Sequence, residues 1–198
     1  MINQRQLQKE QTHLHLIETA IGLFAERGFA ATTTADIAKA AGVAHGTVFL
    51  HFPNQETLLI EVIEVFGSRI TQRLHELAAG GNSLKDVLAA HLDGLKEYES
   101  FYTRLVIEGR LLPKSARYVF ISIQSAISLH IGQAADKEIA AGRLEPFPIH
   151  LLFNTWMGLV HYYLLNSDLF APGQSVLKKN GPEILTHFLA LVAVKGVI

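Results

Sequence analysis

The side chains in this sequence best suited to chemistry are its ten histidines, because there is no cysteine. Imidazoles can bind a metal or move a proton near neutral pH, but only with partners at suitable spacing. None of the ten stands in an H-E-x-x-H arrangement. His13 and His15 are two residues apart and point to different faces of a helix, and His45 and His51 are six apart. No nucleophile has a base at readable spacing. The sequence therefore predicts no enzyme, no metal site and no cofactor. The missing cysteines also exclude structural disulfides and thiolate metal or redox sites.

A different chemistry is legible from Thr32 to Leu59, TTTADIAKAAGVAHGTVFLHFPNQETLL. Thr33 is placed to cap a short helix, with Asp36 where a carboxylate reaches back to the cap, and Ile37, Ala38 and Ala41 give that helix an apolar face. Gly42 falls where a left-handed residue ends it. A second helix of about two turns follows over Ala44 to His51. It has His45, Gly46 and Thr47 on one side and Val48 with Phe52 on the other. Pro53 and Asn54 stop it, and Asn54 can cap the next helix, with Glu56 near its positive end. Helix, glycine turn and short helix form a helix-turn-helix, whose second helix enters the major groove of B-DNA. The candidate DNA contacts are Thr33, Thr34, Ala44, His45, Gly46, Thr47, Phe49, His51 and Gln55.

The run GFAATTTADIAKAAGVAHGTVFLHFPNQETLL resembles the DNA-binding region of TetR-family transcriptional regulators, which couples TT, DIA, AGV, GT, HF and a following acidic residue at these spacings. The likeness covers about residues 10 to 65 directly. It implies an all-α protein with an N-terminal three-helix DNA-binding domain at 1–55 and a helical ligand-binding and dimerisation bundle at 56–198. It also implies a homodimeric regulator, most often a repressor, that binds a near-palindromic double-stranded operator and is released by a small molecule. Four positions depart from the pattern. Ala44, His45 and Phe49 stand where the family usually has Ser, Lys and Tyr, and Gln55 stands where a Lys is common. A contrasting reading is a helical small-molecule-binding or interaction protein that has lost operator binding.

Charge bears on that choice. Residues 1 to 60 hold four Lys and Arg (Arg5, Lys9, Arg27, Lys39) against five Asp and Glu, a balance of −1. DNA-binding modules are commonly basic, because phosphate neutralisation supplies much of their affinity. Here His45 and His51 on the second helix could gain protons beside phosphates, so operator binding is expected to strengthen as pH falls. Arg5 and Lys9 could reach a phosphate or a minor groove, or belong to a solvated tail.

These groups need elements to position them. A helix from Gln4 or Lys9 to Arg27 carries a stripe of Leu14, Ile17, Ile21 and Phe24. With Phe29, Ile37, Val43, Val48 and Phe52 it would make a three-helix core. A long helix from Asn54 to Ala79, broken by AlaGlyGlyAsn at 79 to 82, would link the two domains. Helices follow from a Ser83 and Asp86 capping box to Glu99, from Phe101 to Leu112 before Pro113, and from Ser115 to Ala141 before Gly142. The last two run from Pro148 to Leu165 and, after a loop at 167 to 175, from Pro182 to 194. No charged residue occurs between Glu145 and Asp168, yet Pro148, His150, Asn154, Thr155 and His161 argue for a buried soluble helix over a membrane span. With no apolar leader at its start, the chain reads as cytoplasmic and without a membrane partner.

Phe66, His91, Leu95, Tyr98, Tyr102, Phe120, Gln124 and Trp156 are candidates to line a site for an unidentified small apolar or aromatic ligand. Plain core filling is the competing role for each. Met157, Ile184, Phe188 and Leu191 on the last helices are candidates for the dimer interface.

Overall fold

The computed structural model describes residues 4–79 and 83–194, and every extended element in them is helical. In chain order these are α1 (Gln4–Arg27), α2 (Thr34–Ala40), α3 (His45–His51), α4 (Gln55–Ala79), α5 (Leu84–Glu97), α6 (Glu99–Glu108), α7 (Lys114–Ala140), α8 (Ile149–Leu165), α9 (Ser167–Phe170) and α10 (Val176–Val192). They form two compact units. The first comprises Met1–Phe66 and Ser100–Phe120, the second Gly67–Glu99 and Ile121–Ile198. α4 and α7 each begin in the first unit and continue into the second.

In the first unit α1 turns Leu16, Ile17, Ala20, Ile21, Leu23 and Phe24 inward. Leu14, expected in that stripe, is 54% exposed, and Leu16 is buried in its stead. Ile37, Val48 and Phe52 from α2, α3 and its C-cap complete the core as expected, and Val43 is half-buried. The local start signals hold. Thr33 and Asp36 form a full capping box on α2, as do Ser83 and Asp86 on α5, each contributing about 1 kcal/mol. Asn54 Oδ1 accepts from Thr57 N at 2.8 Å at the start of α4. Gly42 and Gly142 have φ of +68° and +69°, as helix-ending glycines should.

Several boundaries differ from expectation. α6 ends at Glu108, and a turn through residues 109–112 precedes Pro113. The expected loop at 167 to 175 contains the single turn α9. α10 starts six residues before Pro182, which lies inside the helix. Its true start is set by Ser175 Oγ, which accepts from Lys178 N, and by Glu99, whose carboxylate accepts from Val176 N at 2.9 Å and Leu177 N at 3.1 Å. The glycine break expected at 79 to 82 lies outside the described residues beyond Ala79.

The second unit buries one face of α5 (Leu84, Val87, Leu88, His91, Leu92, Leu95) and α8 residues Leu152, Phe153, Trp156, Met157, Val160 and Leu164, together with Ile184, Leu185 and Phe188 of α10. Truncating such a leucine to alanine costs about 2–5 kcal/mol. Among the described residues no helix is long and apolar enough to cross a membrane.

Candidate nucleic-acid interface

The recognition-type helix α3 is held from behind and left open in front. Val48 is fully buried, as is Phe52 at the helix's end. Ala44, His45, Gly46, Phe49 and Leu50 face outward. Gly46 has nothing within 4 Å of where a Cβ would stand. His45 Nε2 and Thr34 Oγ1 share a hydrogen bond of 3.0 Å, which ties α3 to the first turn of α2, and the Phe49 ring meets the His45 ring edge-on at 5.0 Å. These contacts fix the helix that would enter a groove.

The nine candidate DNA residues divide by position. Ala44, His45, Gly46 and Phe49 lie together on the exposed side of α3, and Thr47 beside them is half-buried. Thr33 is exposed, but its backbone N–H and Oγ1 both reach Asp36, at 2.9 and 2.5 Å. Those hydrogen bonds hold the Asp36 carboxyl below the usual carboxylate range. Thr34 is buried and turned toward His45. Gln55 donates from Nε2 to Thr32 O at 2.9 Å, so it fastens the start of α4 to the turn before α2.

His51 points to α1. Its ring centroid lies 5.5 Å from that of His13, which stacks on Phe52 and bonds Glu61 Oε2 at 2.8 Å. Burial first, then His13 and Lys9, hold His51 below the ordinary histidine range, opposed by Glu61. With Arg5, Lys9 and His13 it lines a groove on this unit. His15 Nε2 lies 3.2 Å from Ala41 O, so both early histidines brace the helix-turn-helix. Among the described residues no group of three or more His, Asp or Glu side chains could hold a metal ion.

Sequence reading missed two features here. Leu50 is 78% exposed beside Phe49; with Val48 and Phe52 turned inward, the residue between them had to face out. The other is a clamp from α6. Glu108 Oε2 accepts from Phe29 N at 2.9 Å and Ala30 N at 3.2 Å, and Arg104 donates to Glu26 O at 3.2 Å. Gly28 has φ +84°, and a Cβ there would collide with the Glu108 carboxylate. These partners are 78 and 79 residues apart, so no local pattern announces them.

The eight ligand candidates fall in both units. In the first, the rings of Phe66, Tyr102 and Phe120 pack in series, with centroids 5.7 and 6.1 Å apart. In the second, Trp156 Nε1 donates to His91 Nδ1 at 3.1 Å and Arg69 donates to the Tyr98 hydroxyl at 2.8 Å. Leu95 is buried there and Gln124 half-buried. Of the four dimer candidates, Met157, Ile184 and Phe188 are buried within the chain's own unit, and Leu191 is 52% exposed.

A chain whose described elements are helices and that presents a short helix behind a capped, glycine-ended partner is a helix-turn-helix protein. Residues 16–62 match the family model for bacterial regulatory proteins of the tetR family. Those residues therefore carry the DNA-binding domain of that family. It is 26% identical over 154 residues to the uncharacterised HTH-type transcriptional regulator YuxN of Bacillus subtilis, covering 73% of this chain and 51% of YuxN. It is 35% identical over 82 residues to the HTH-type transcriptional repressor KstR2 of Rhodococcus jostii, covering 41% and 40%. These matches thus span about half or less of the relatives' length. The fold is also that of the regulator FadR from Bacillus subtilis in complex with stearoyl-CoA, with a TM-score of 0.72 at 20% identity, covering 89% of this chain and 97% of that one.

Proposed function

We propose that this protein is a homodimeric transcriptional repressor whose hold on a near-palindromic operator is loosened by a small molecule. The observation that carries the DNA-binding part is the outward face of α3. It presents Ala44, His45, Gly46 and Phe49 on a helix whose other side is locked into the core by Val48 and Phe52, the arrangement a major-groove reader requires. KstR2 bears the name of a repressor, and FadR was solved with an acyl-CoA. We extend repression and ligand response to this chain by that kinship, with residues 1–55 as the DNA-reading segment and 56–198 as the ligand and dimer segment. The ligand is small and largely apolar or aromatic. α4 is continuous across Phe66 and Gly67, where the two units divide, and we assign it the coupling between ligand and DNA. By linkage a ligand weakens DNA binding only as far as it prefers the DNA-incompetent state.

We assign the dimer seam to the outward side of α8 with Leu191 of α10. Leu151, Thr155, Gly158, Tyr162 and Leu165 are all exposed and recur at alternating spacings of four and three, the repeat that lets two helices pack along a seam.

The charge balance of −1 in residues 1–60 favours one rival, a helical binding protein without an operator. A labelled promoter fragment from beside the protein's own gene separates the two. Retardation by micromolar dimer at low salt is expected, and it should be lost in Gly46→Glu, which adds a charge where there is open space. No retardation of the wild type would favour the rival.

A further inference from the structure

Few polar side chains reach the interior of the second unit, and besides His91 only His130 Nδ1 and Asn180 Oδ1 are buried polar atoms without a hydrogen-bond partner among its described residues. Among its described residues His91 is the one polar or charged side chain that is fully buried. It lies on α5 among Val87, Leu88, Leu92 and Leu95, all within four residues and all buried. The Trp156 indole donates to its Nδ1 at 3.1 Å. An indole nitrogen can only donate, so Nδ1 must be bare and the imidazole proton must sit on Nε2. Burial, with His161 second, pushes the His91 pKa down to about 3, so the ring stays neutral. Nε2–H is therefore a fixed donor inside an apolar core, and no protein atom of the described residues accepts from it. Leaving such a donor unmatched inside a folded core is costly. Trp156 accounts for Nδ1 and not for Nε2.

We propose that Nε2–H of His91 is the polar anchor of a small-molecule site in the second unit, and that its ligands are apolar molecules carrying one uncharged carbonyl acceptor, such as a ketone, ester or thioester. This rests on the ligand-responsive reading above and names the chemistry of that ligand. A carbonyl satisfies the donor and carries no charge into the core. A carboxylate would lose its hydration opposite a ring that stays neutral, and a buried unpaired charge is strongly disfavoured. An alkane would leave the donor unmatched.

The test uses the full chain labelled with 15N at histidine, and three matched probes: 2-octanone, octanoate and octane. The ligand-free protein should show His91 as the neutral, Nε2-protonated tautomer from about pH 8 to 5. 2-Octanone should move its Hε2 signal downfield and bind about tenfold more tightly than octane, with octanoate weaker than the ketone. In the double variant H91M/W156F, which removes the donor together with the indole it serves, ketone and octane should bind alike. The ratio is the readout, because the smaller ring at 156 alters both affinities together. His91→Gln, which can still accept and donate, should keep a ketone preference even if the double variant fails to fold.

An Nδ1-protonated tautomer would overturn the proposal. So would equal affinities for ketone and octane in the wild type, or a His91 signal unmoved by 2-octanone up to about 1 mM, the result expected if a buried water alone satisfies Nε2. Ketone binding that leaves promoter affinity unchanged would keep this site and remove the release step. Release by a molecule that leaves His91 unmoved would do the reverse.

Discussion

His45 shows how one side chain can serve both fold and function. Its Nε2 shares a hydrogen bond with Thr34. When Thr34 donates, the neutral ring carries its proton on Nδ1, which can then give a hydrogen bond to a phosphate oxygen; a second proton lets both nitrogens donate while Thr34 accepts. Phosphate favours the charged ring, so binding takes up protons and affinity rises as pH falls. The expected result is operator affinity that climbs several-fold from about pH 8 to 6.5. His45→Gln should flatten the profile, whereas His51→Gln should leave most of it, because His51 is turned to His13 and α1. Measuring affinity against pH for the three proteins decides it, and a flat wild-type curve sinks the role of His45. Leu50, next to Phe49 and exposed, is not legible as a surface residue in the sequence, because apolar residues in a short helix are ordinarily read as core.

The elements were legible wherever their ends are fixed by neighbours in sequence. Thr33 with Asp36, Ser83 with Asp86, Asn54, Gly42 and Gly142 all work across four residues or fewer, and each stands where the sequence puts it. α10 was misplaced because its start depends on Glu99, 77 residues away from Val176, while Pro182 offered a plausible local start. The α6 clamp escaped notice for the same reason. Its removal is measurable: Glu108→Ala strips two N–H groups at Phe29 and Ala30 of a charged acceptor, and unfolding free energy should fall by about 1–3 kcal/mol. A loss below about 0.5 kcal/mol would mean that water replaces the carboxylate without cost.

The second unit has its own acid weakness. Burial pushes His91 to about 3 and His161 to about 4, both below the ordinary histidine value. Below about pH 6.5 the unfolded chain takes up protons that the folded one refuses, so stability is full above that pH and declines as pH falls toward the folded values. At pH 5 the loss is about 2 kcal/mol for each histidine. Thermal melts from pH 7.5 to 5 should show this decline, and it should shrink in His161→Gln. Operator titrations therefore belong above pH 6.5, where the two effects do not mix.

At the scale of the whole molecule, a DNA-reading segment so poor in positive charge must find its affinity in number. Residues 1–60 carry a balance of −1, and one short helix making few phosphate contacts binds weakly. Two such helices about 34 Å apart on a dimer reach successive major grooves, and tethering turns the second contact into an intramolecular one, worth about 10²–10⁴ in affinity when the geometry fits. The seam that would supply this is the exposed 151, 155, 158, 162, 165 repeat of α8, with Gly158 at its centre and nothing within 4 Å of its Cβ position. The family resemblance pointed to the last helices, but their apolar residues hid which face lay outward: Met157, Ile184 and Phe188 fill the chain's own core. Phe188→Asp would accordingly unfold the second unit and not part a dimer. Gly158→Glu is the cleaner instrument, because it gives the helix a better former, starts from an exposed position whose Cβ site is open, and sets like charges against each other across a two-fold seam. We expect it to sediment as a monomer at micromolar concentration with an unchanged helical spectrum and a melting temperature as high as the wild-type protein at low concentration. Its operator affinity should fall by at least about a hundredfold, and its salt slope should drop to about half, since one subunit releases half the counterions. A Gly158→Glu protein that remains dimeric would move the seam off α8, and a monomer that binds the operator as tightly as the wild type would show that one first unit suffices.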